Sequence, residues 1–226
     1  MSDKQKFPRL TTARGVAIWP HLNTPDTKWK KEGKYSTKLA FDEEAQATPQ
    51  FKAMVEKVEA LIEARYEEEA EKLKSSGKAA LAKKIVKASP FKEEEDAETG
   101  ELTGRIIINA GMTASGVSEK TGKSWKRKPN IYDAFGNLIK NPPNIGSGSV
   151  LKLNVELFPY FNQKDKEVGV SLRLEAVQVV KLVSYGQRDA SDYGFEAEED
   201  GDDLSGYGDD DDFADDGDDG DEDDDI

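Results

Sequence analysis

The chain has 226 residues, with 32 Lys and Arg against 46 Asp and Glu, one His and no Cys. The missing cysteine excludes a disulfide framework, a thiol nucleophile and a thiolate metal site, and no apolar run of roughly 18 residues offers a membrane span. The net charge of -14 conceals a split: residues 189–226 carry 21 acids and neither Lys nor Arg, so residues 1–188 hold 25 acids and all 32 bases, a net of +7. A mildly basic body joined to a strongly acidic end points to a protein that handles a polyanion and controls access to it. The opening Met-Ser-Asp-Lys shows no signal-peptide pattern and reads as cytoplasmic.

Residues 10–19, LTTARGVAIW, predict a first strand that stops at Pro20. A turn-rich stretch through Lys34 follows. In KYSTKLAF, Tyr35, Thr37, Leu39 and Phe41 alternate with Ser36, Lys38 and Ala40, which is strand periodicity. Thr48-Pro49 then reads as an N-cap with proline at the first helical position. Phe51, Met54, Val55, Val58, Leu61 and Ile62 recur at three- and four-residue spacing, predicting a helix that breaks at Ser75-Ser76-Gly77. Residues 78–88 are expected to form a second short helix, and the acidic residues 90–101 a loop.

Strand patterning returns at Leu102. LTGRIIINAGM is one run, SGVSEKTGKSWKRKPN an excursion around a Thr-Gly turn, NIYDAFGNLI a strand and turn, and NPPNIGSG a loop. VLKLNVELFPYF is the clearest strand. Leu151, Leu153, Val155 and Leu157 lie on one face, with Lys152, Asn154, Glu156 and Phe158 on the other. VGVSLRLEAVQVVKLVSY is the last and longest, with a bulge expected near Ala176, where the phase slips. Five or six antiparallel strands with a helical insertion fit a mainly β, five-stranded barrel of the oligonucleotide-binding (OB) type. A split sandwich fits the same pattern.

Binding of single strands requires cations for the phosphates and exposed aromatics for the bases. Trp29 lies in KWKKEGK with Lys31 and Lys34. Trp125 lies in KTGKSWKRK with Lys123, Lys126, Arg127 and Lys128. Lys152, Phe158 and Tyr160 lie on or just beyond the clear strand. These eleven residues are the candidate DNA contacts. Each also has a plainer reading, in which the lysines are solvated and the tryptophans anchor their loops to the core. Phe158, on the polar face, needs a cover, either a base or the apolar stripe of residues 51–62.

Catalytic chemistry finds little footing. His21 stands alone, GSGS at 146–149 lacks the Lys of a phosphate loop, and TGKS at 121–124 lacks its upstream glycines. No catalytic residue, metal site or cofactor is expected, and the chain reads as a non-enzyme.

The order of these pieces resembles the single-stranded DNA-binding proteins of T7-like bacteriophages. The likeness rests on KYSTKLAF, on the insertion at about 48–88, and above all on GSGSVLKLNVELFPYFNQKDKEVGVSLRLEAVQVVKLVSYG followed directly by the acidic end. The resemblance implies an OB-fold DNA-binding domain over 1–188 and a disordered acidic tail over 189–226. It implies coating of single strands in phage replication, recombination and repair, strand annealing, homodimers, and work in the cytoplasm of the infected bacterial host. It also implies that the tail recruits the replicative DNA polymerase and helicase-primase, with Phe213, Asp223, Asp224, Asp225 and Ile226 as the partner-binding residues. The family's stacking tyrosine falls on Tyr160 and its strand lysine on Lys152. One departure is the end of the chain, Ile226, where the family pattern has an aromatic. The rival reading is an acidic-tailed interaction module or chaperone for basic proteins, against which the +7 body and the Trp-Lys loops argue.

Overall fold

The computed structural model describes residues 7–184; the proposed tail and its partner residues Phe213, Asp223, Asp224, Asp225 and Ile226 lie outside the described residues. Eleven strands and three helices follow one another. They are β1 (Arg9–Thr11), β2 (Gly15–Asp26), β3 (Lys34–Phe41), α1 (Glu43–Ala47), α2 (Pro49–Ser75), α3 (Ala79–Ala82), β4 (Val86–Ala88), β5 (Lys92–Glu95), β6 (Leu102–Thr113), β7 (Ser115–Val117), β8 (Ser124–Lys126), β9 (Asn130–Tyr132), β10 (Val150–Asn162) and β11 (Glu167–Lys181).

The five long strands organise the fold. β2, β3 and β6 form an antiparallel meander, β6 meets β11 in parallel, β11 runs antiparallel to β10, and β10 returns to β2. The joints are uneven. β6 and β11 share two residue pairs, as do β10 and β2, whereas β10 and β11 pair over almost their whole length. The sheet is therefore strongly curled and thinly joined, not the evenly closed barrel expected. Nor is it all antiparallel, since β4, β6 and β9 each meet β11 in parallel.

Alternation builds the core. Leu151, Leu153, Val155 and Leu157 of β10 are fully buried, together with Leu39 and Phe41 of β3 and Ile108 and Ala110 of β6. The bulge expected near Ala176 is present. Asn154 pairs with Ala176 but Val155 with Leu174, so Glu175 is the extra residue and the inward phase is restored on both sides. The insertion helix begins as its sequence dictates, with Thr48 Oγ1 accepting from the Phe51 N–H at 3.2 Å and Pro49 in the first turn. Its stripe of Phe51, Met54, Val58 and Ile62 is buried, and the helix packs against β4, β10 and β11.

Three expectations are corrected. The first strand does not stop at Pro20; β2 continues to Asp26, with its register slipping between Ile18 and His21 and Trp19 at φ 48°. Proline is tolerated inside a strand at such an irregularity because no ladder N–H is needed there. Of residues 78–88, only Ala79–Ala82 is helical, and Val86–Ala88 pairs with β11. Within 90–101, Lys92–Glu95 is a strand on the edge of β6.

Candidate nucleic-acid interface

The connection from β2 to β3, residues 27–33, is a tight excursion. Asp26 Oδ1 accepts the Lys28 N–H at 2.8 Å, and the Gly33 N–H donates to the Lys30 carbonyl at 3.0 Å. Gly33 closes the turn at φ 70°, a left-handed conformation that suits glycine. The excursion leaves Trp29 82% exposed, with the Lys28 ammonium 5.6 Å from its ring centre.

β7 and β8 form a separate two-stranded hairpin. Trp125 sits opposite Gly116, and its ring lies over that glycine: a Cβ there would come within 2.6 Å of the indole. Trp125 remains 37% exposed, with the Arg127 guanidinium 5.2 Å from its ring. Arg127 is itself anchored, its Nε donating to the Thr113 carbonyl at 2.8 Å.

These two excursions are tied together. The Ala114 N–H donates to the Gly33 carbonyl at 2.9 Å, and Ser115 Oγ donates to the Glu32 carbonyl at 2.8 Å. Trp29 and Lys31 are thereby joined in one region with Lys123, Trp125, Lys126, Arg127 and Lys128, all exposed. The ion pairs of the described residues engage Arg9, Arg65, Lys72, Lys87, Arg105 and Arg173, and none of these loop cations. Their charge is open to a ligand.

The region continues onto the outer face of the sheet. Lys34 pairs with Thr113, and its aliphatic stem lies across Gly111, where a Cβ would meet Lys34 Cε at 2.5 Å. Two residues along β3 is Ser36, and two further is Lys38, exposed between Ile18 and Asn109. Lys38 was not among the candidates, although the alternation in KYSTKLAF placed it on the solvent side. Two exposed aromatics also lie outside the candidate set: Trp19, 74% exposed, and Phe135, 90% exposed.

The other three candidates have different partners. Lys152 lines a cleft with Arg14, Asp42, Glu44 and Gln50. Phe158 is half-buried; Phe7 meets it edge-on at 4.7 Å, and the Arg173 guanidinium stacks 3.4 Å from its ring centre. The Tyr160 ring lies over Gly169, and its hydroxyl donates to Glu167 Oε1 at 2.8 Å.

Burial first, then the bond to Glu167 and that carboxylate's charge, together push the Tyr160 hydroxyl up to about 12. The neutral phenol therefore contributes stability that is complete below the free tyrosine value of about 10 and is lost as pH rises through the folded value. Tyr160→Phe is expected to flatten the fall in stability between about pH 10 and 12, read by urea unfolding at stepped pH. An unchanged alkaline limb would show that Tyr160 is not held this way.

Among the described residues no three His, Asp or Glu side chains gather as a metal would require, and no helix is long and apolar enough to cross a membrane.

A family model described as the single-stranded DNA-binding protein of bacteriophage T7 matches residues 16–182. The single-stranded DNA-binding proteins of Enterobacteria phage T3 and Escherichia phage T7 are 32% and 33% identical to the chain over 88 residues. Those 88 residues take in 39% of this chain and 38% of each relative's length. The crystal structure of gp2.5, a single-stranded DNA binding protein encoded by bacteriophage T7, is similar with a TM-score of 0.63 at 25% identity, covering 86% of this chain and 97% of that one.

Proposed function

The chain belongs to the family of the bacteriophage T7 single-stranded DNA-binding protein, and on that premise we propose that it binds and coats single-stranded DNA along the tied tryptophan loops and the Lys34–Lys38 face. The observation that carries this reading is the pair of hydrogen bonds from Ala114 to Gly33 and from Ser115 to Glu32. They bring two indoles together with cations that make no ion pair among the described residues. Indoles accept any base by stacking, and the cations neutralise phosphates.

On this reading the curled five-strand circuit is an OB-type barrel whose thin joints suit a partly open form. Residues 1–188 form the DNA-binding domain. The acidic residues 189–226 act as a tethered competitor for the basic face, at high local concentration. DNA displaces them, and the released segment, with Phe213 and Asp223 to Ile226, recruits the polymerase and helicase-primase. Support for this part is the charge split of +7 against 21 acids. The protein acts as a homodimer without catalysis, in the host cytoplasm during replication, recombination and repair.

The test is a tryptophan-fluorescence titration of the full chain and of residues 1–188 with a mixed-sequence oligonucleotide of about 30 nucleotides, longer than the roughly 4–16 that one OB fold covers. Single strands are expected to quench and bind more tightly than duplex. With about four phosphates neutralised, the log–log salt slope is expected near -3, from about 0.7 per phosphate. The shortened chain is expected to bind more tightly at low salt. Equal affinities would remove the competing tail, and no single-strand binding by either form would remove the DNA-binding function.

A further inference from the structure

Trp19 interrupts the pairing of β2 with β3. The register of β2 on β3 slips between Ile18 and His21, and Trp19 takes φ 48°, a region that bulky side chains rarely enter. Its surroundings hold it there. Pro20 follows with its fixed φ, and the Trp19 N–H donates to Ser147 Oγ at 3.0 Å. Two residues before it, the Ala17 N–H donates to the Ser149 carbonyl and the Gly148 N–H to the Ala17 carbonyl, at 2.8 and 2.9 Å.

The bulge displays an indole that is 74% exposed beside a cleft lined by Ile18, Pro20, His21, Asn144, Ile145 and Ser147. The bulge turns the phase of β2 so that Leu22 enters the core and Trp19 stays outside it, and a backbone outlier that displays an indole in this way points to use by a ligand. The strand register supplies the ligand's chemistry. Ile18 pairs with Lys38 and His21 with Ser36, so the indole borders the basic face that starts at Lys34.

We infer that Trp19 is a further base-stacking position, which takes one nucleobase of the same single strand that crosses Trp29 and Trp125, with Lys38 serving the adjoining phosphate. The inference rests on the single-strand reading above. β3 covers the stretch from Lys38, opposite Ile18, to Lys34, opposite Asp26, in four residues, so at about 3.3 Å per residue Trp19 stands roughly 13 Å along the sheet from the base of the Trp29 loop. That is a span of a few nucleotides, inside the footprint of about 4–16 for one OB fold. Trp19 thus marks the second end of the path and gives the strand a direction along β2.

The chain has three tryptophans, so the full-length double variant Trp29→Phe/Trp125→Phe keeps aromatic planes in the loops and leaves Trp19 as the sole indole. A dye-labelled mixed-sequence single strand reports binding by anisotropy, while indole emission reports Trp19. The expected result is quenching that saturates together with the anisotropy. In the otherwise natural chain, Trp19→Ala is expected to lose about 5- to 150-fold in affinity, the equivalent of one base stack. Trp19→Phe is expected to retain most of it. Trp19→Gly separates binding from packing: glycine enters the left-handed region freely, so this variant is expected to melt no lower than the parent yet bind as weakly as Trp19→Ala. Binding without any change in indole emission, with Trp19→Ala unaffected, overturns the inference and leaves the single-strand reading standing. A Trp19→Gly variant that melts well below the parent makes the residue a packing element and overturns it too. Absence of binding by the natural chain would instead remove the reading beneath it.

Discussion

Replacing Trp29 and Trp125 together by alanine is expected to lower single-strand affinity by about 30-fold to 20,000-fold, on the scale of two stacks at roughly 1–3 kcal/mol each. Each single variant is expected to lose its own share. The double loss is expected to depart from the sum, because the two loops share the Gly33 and Glu32 hydrogen bonds and so the same stretch of DNA. Folding is expected to change little. Trp29 is largely in solvent, and the packing lost from Trp125 is one ring face over Gly116. The measurement is a pair of titrations at fixed salt with thermal unfolding alongside. A double variant that binds like the parent would return both indoles to the plainer role of loop anchors.

Phe41→Ala is expected to cost about 3–5 kcal/mol of unfolding free energy. Set against the roughly 5–15 kcal/mol of a typical domain, that is a large share. Phe41 is fully buried at the end of β3. Its ring lies 5.0 Å from that of Phe51 on α2, and it sits so close to Gly15 that a Cβ there would come within 2.9 Å of Phe41 Cε1. Phe51 in turn meets Phe91 at 6.0 Å. The cluster binds the helical insertion to the sheet, and its loss leaves a void that no neighbour fills cheaply. DNA affinity of the folded fraction is expected to hold, because the tied loops lie at the opposite end of β3. Urea unfolding and a titration well below the melting temperature check the two halves. A cost under about 1 kcal/mol would mean that the insertion is not packed through Phe41.

Local periodicity made much of this protein legible. The Leu151 to Leu157 face, the Thr48 cap, the 51–62 stripe and the bulge beside Ala176 all follow from single-segment rules, in which an alternation of two or a repeat of 3.6 decides which side is buried. The separation of a basic body from an acidic end is likewise a property of residue order alone. What lay beyond reach were contacts that leave no apolar pattern in the segment that makes them. Lys92–Glu95 carries no apolar alternation, and it is a strand because β6 offers an edge. β2 passes Pro20 because a bulge there removes the need for the ladder N–H. Phe158 found its cover in Phe7 and Arg173, residues that no spacing rule connects. The two tryptophan loops are separate Lys-rich segments in the chain. They become one region only where the Ala114 N–H reaches the Gly33 carbonyl, since a hydrogen bond between distant residues depends on where the sheet carries them and leaves no mark on the pattern of either segment.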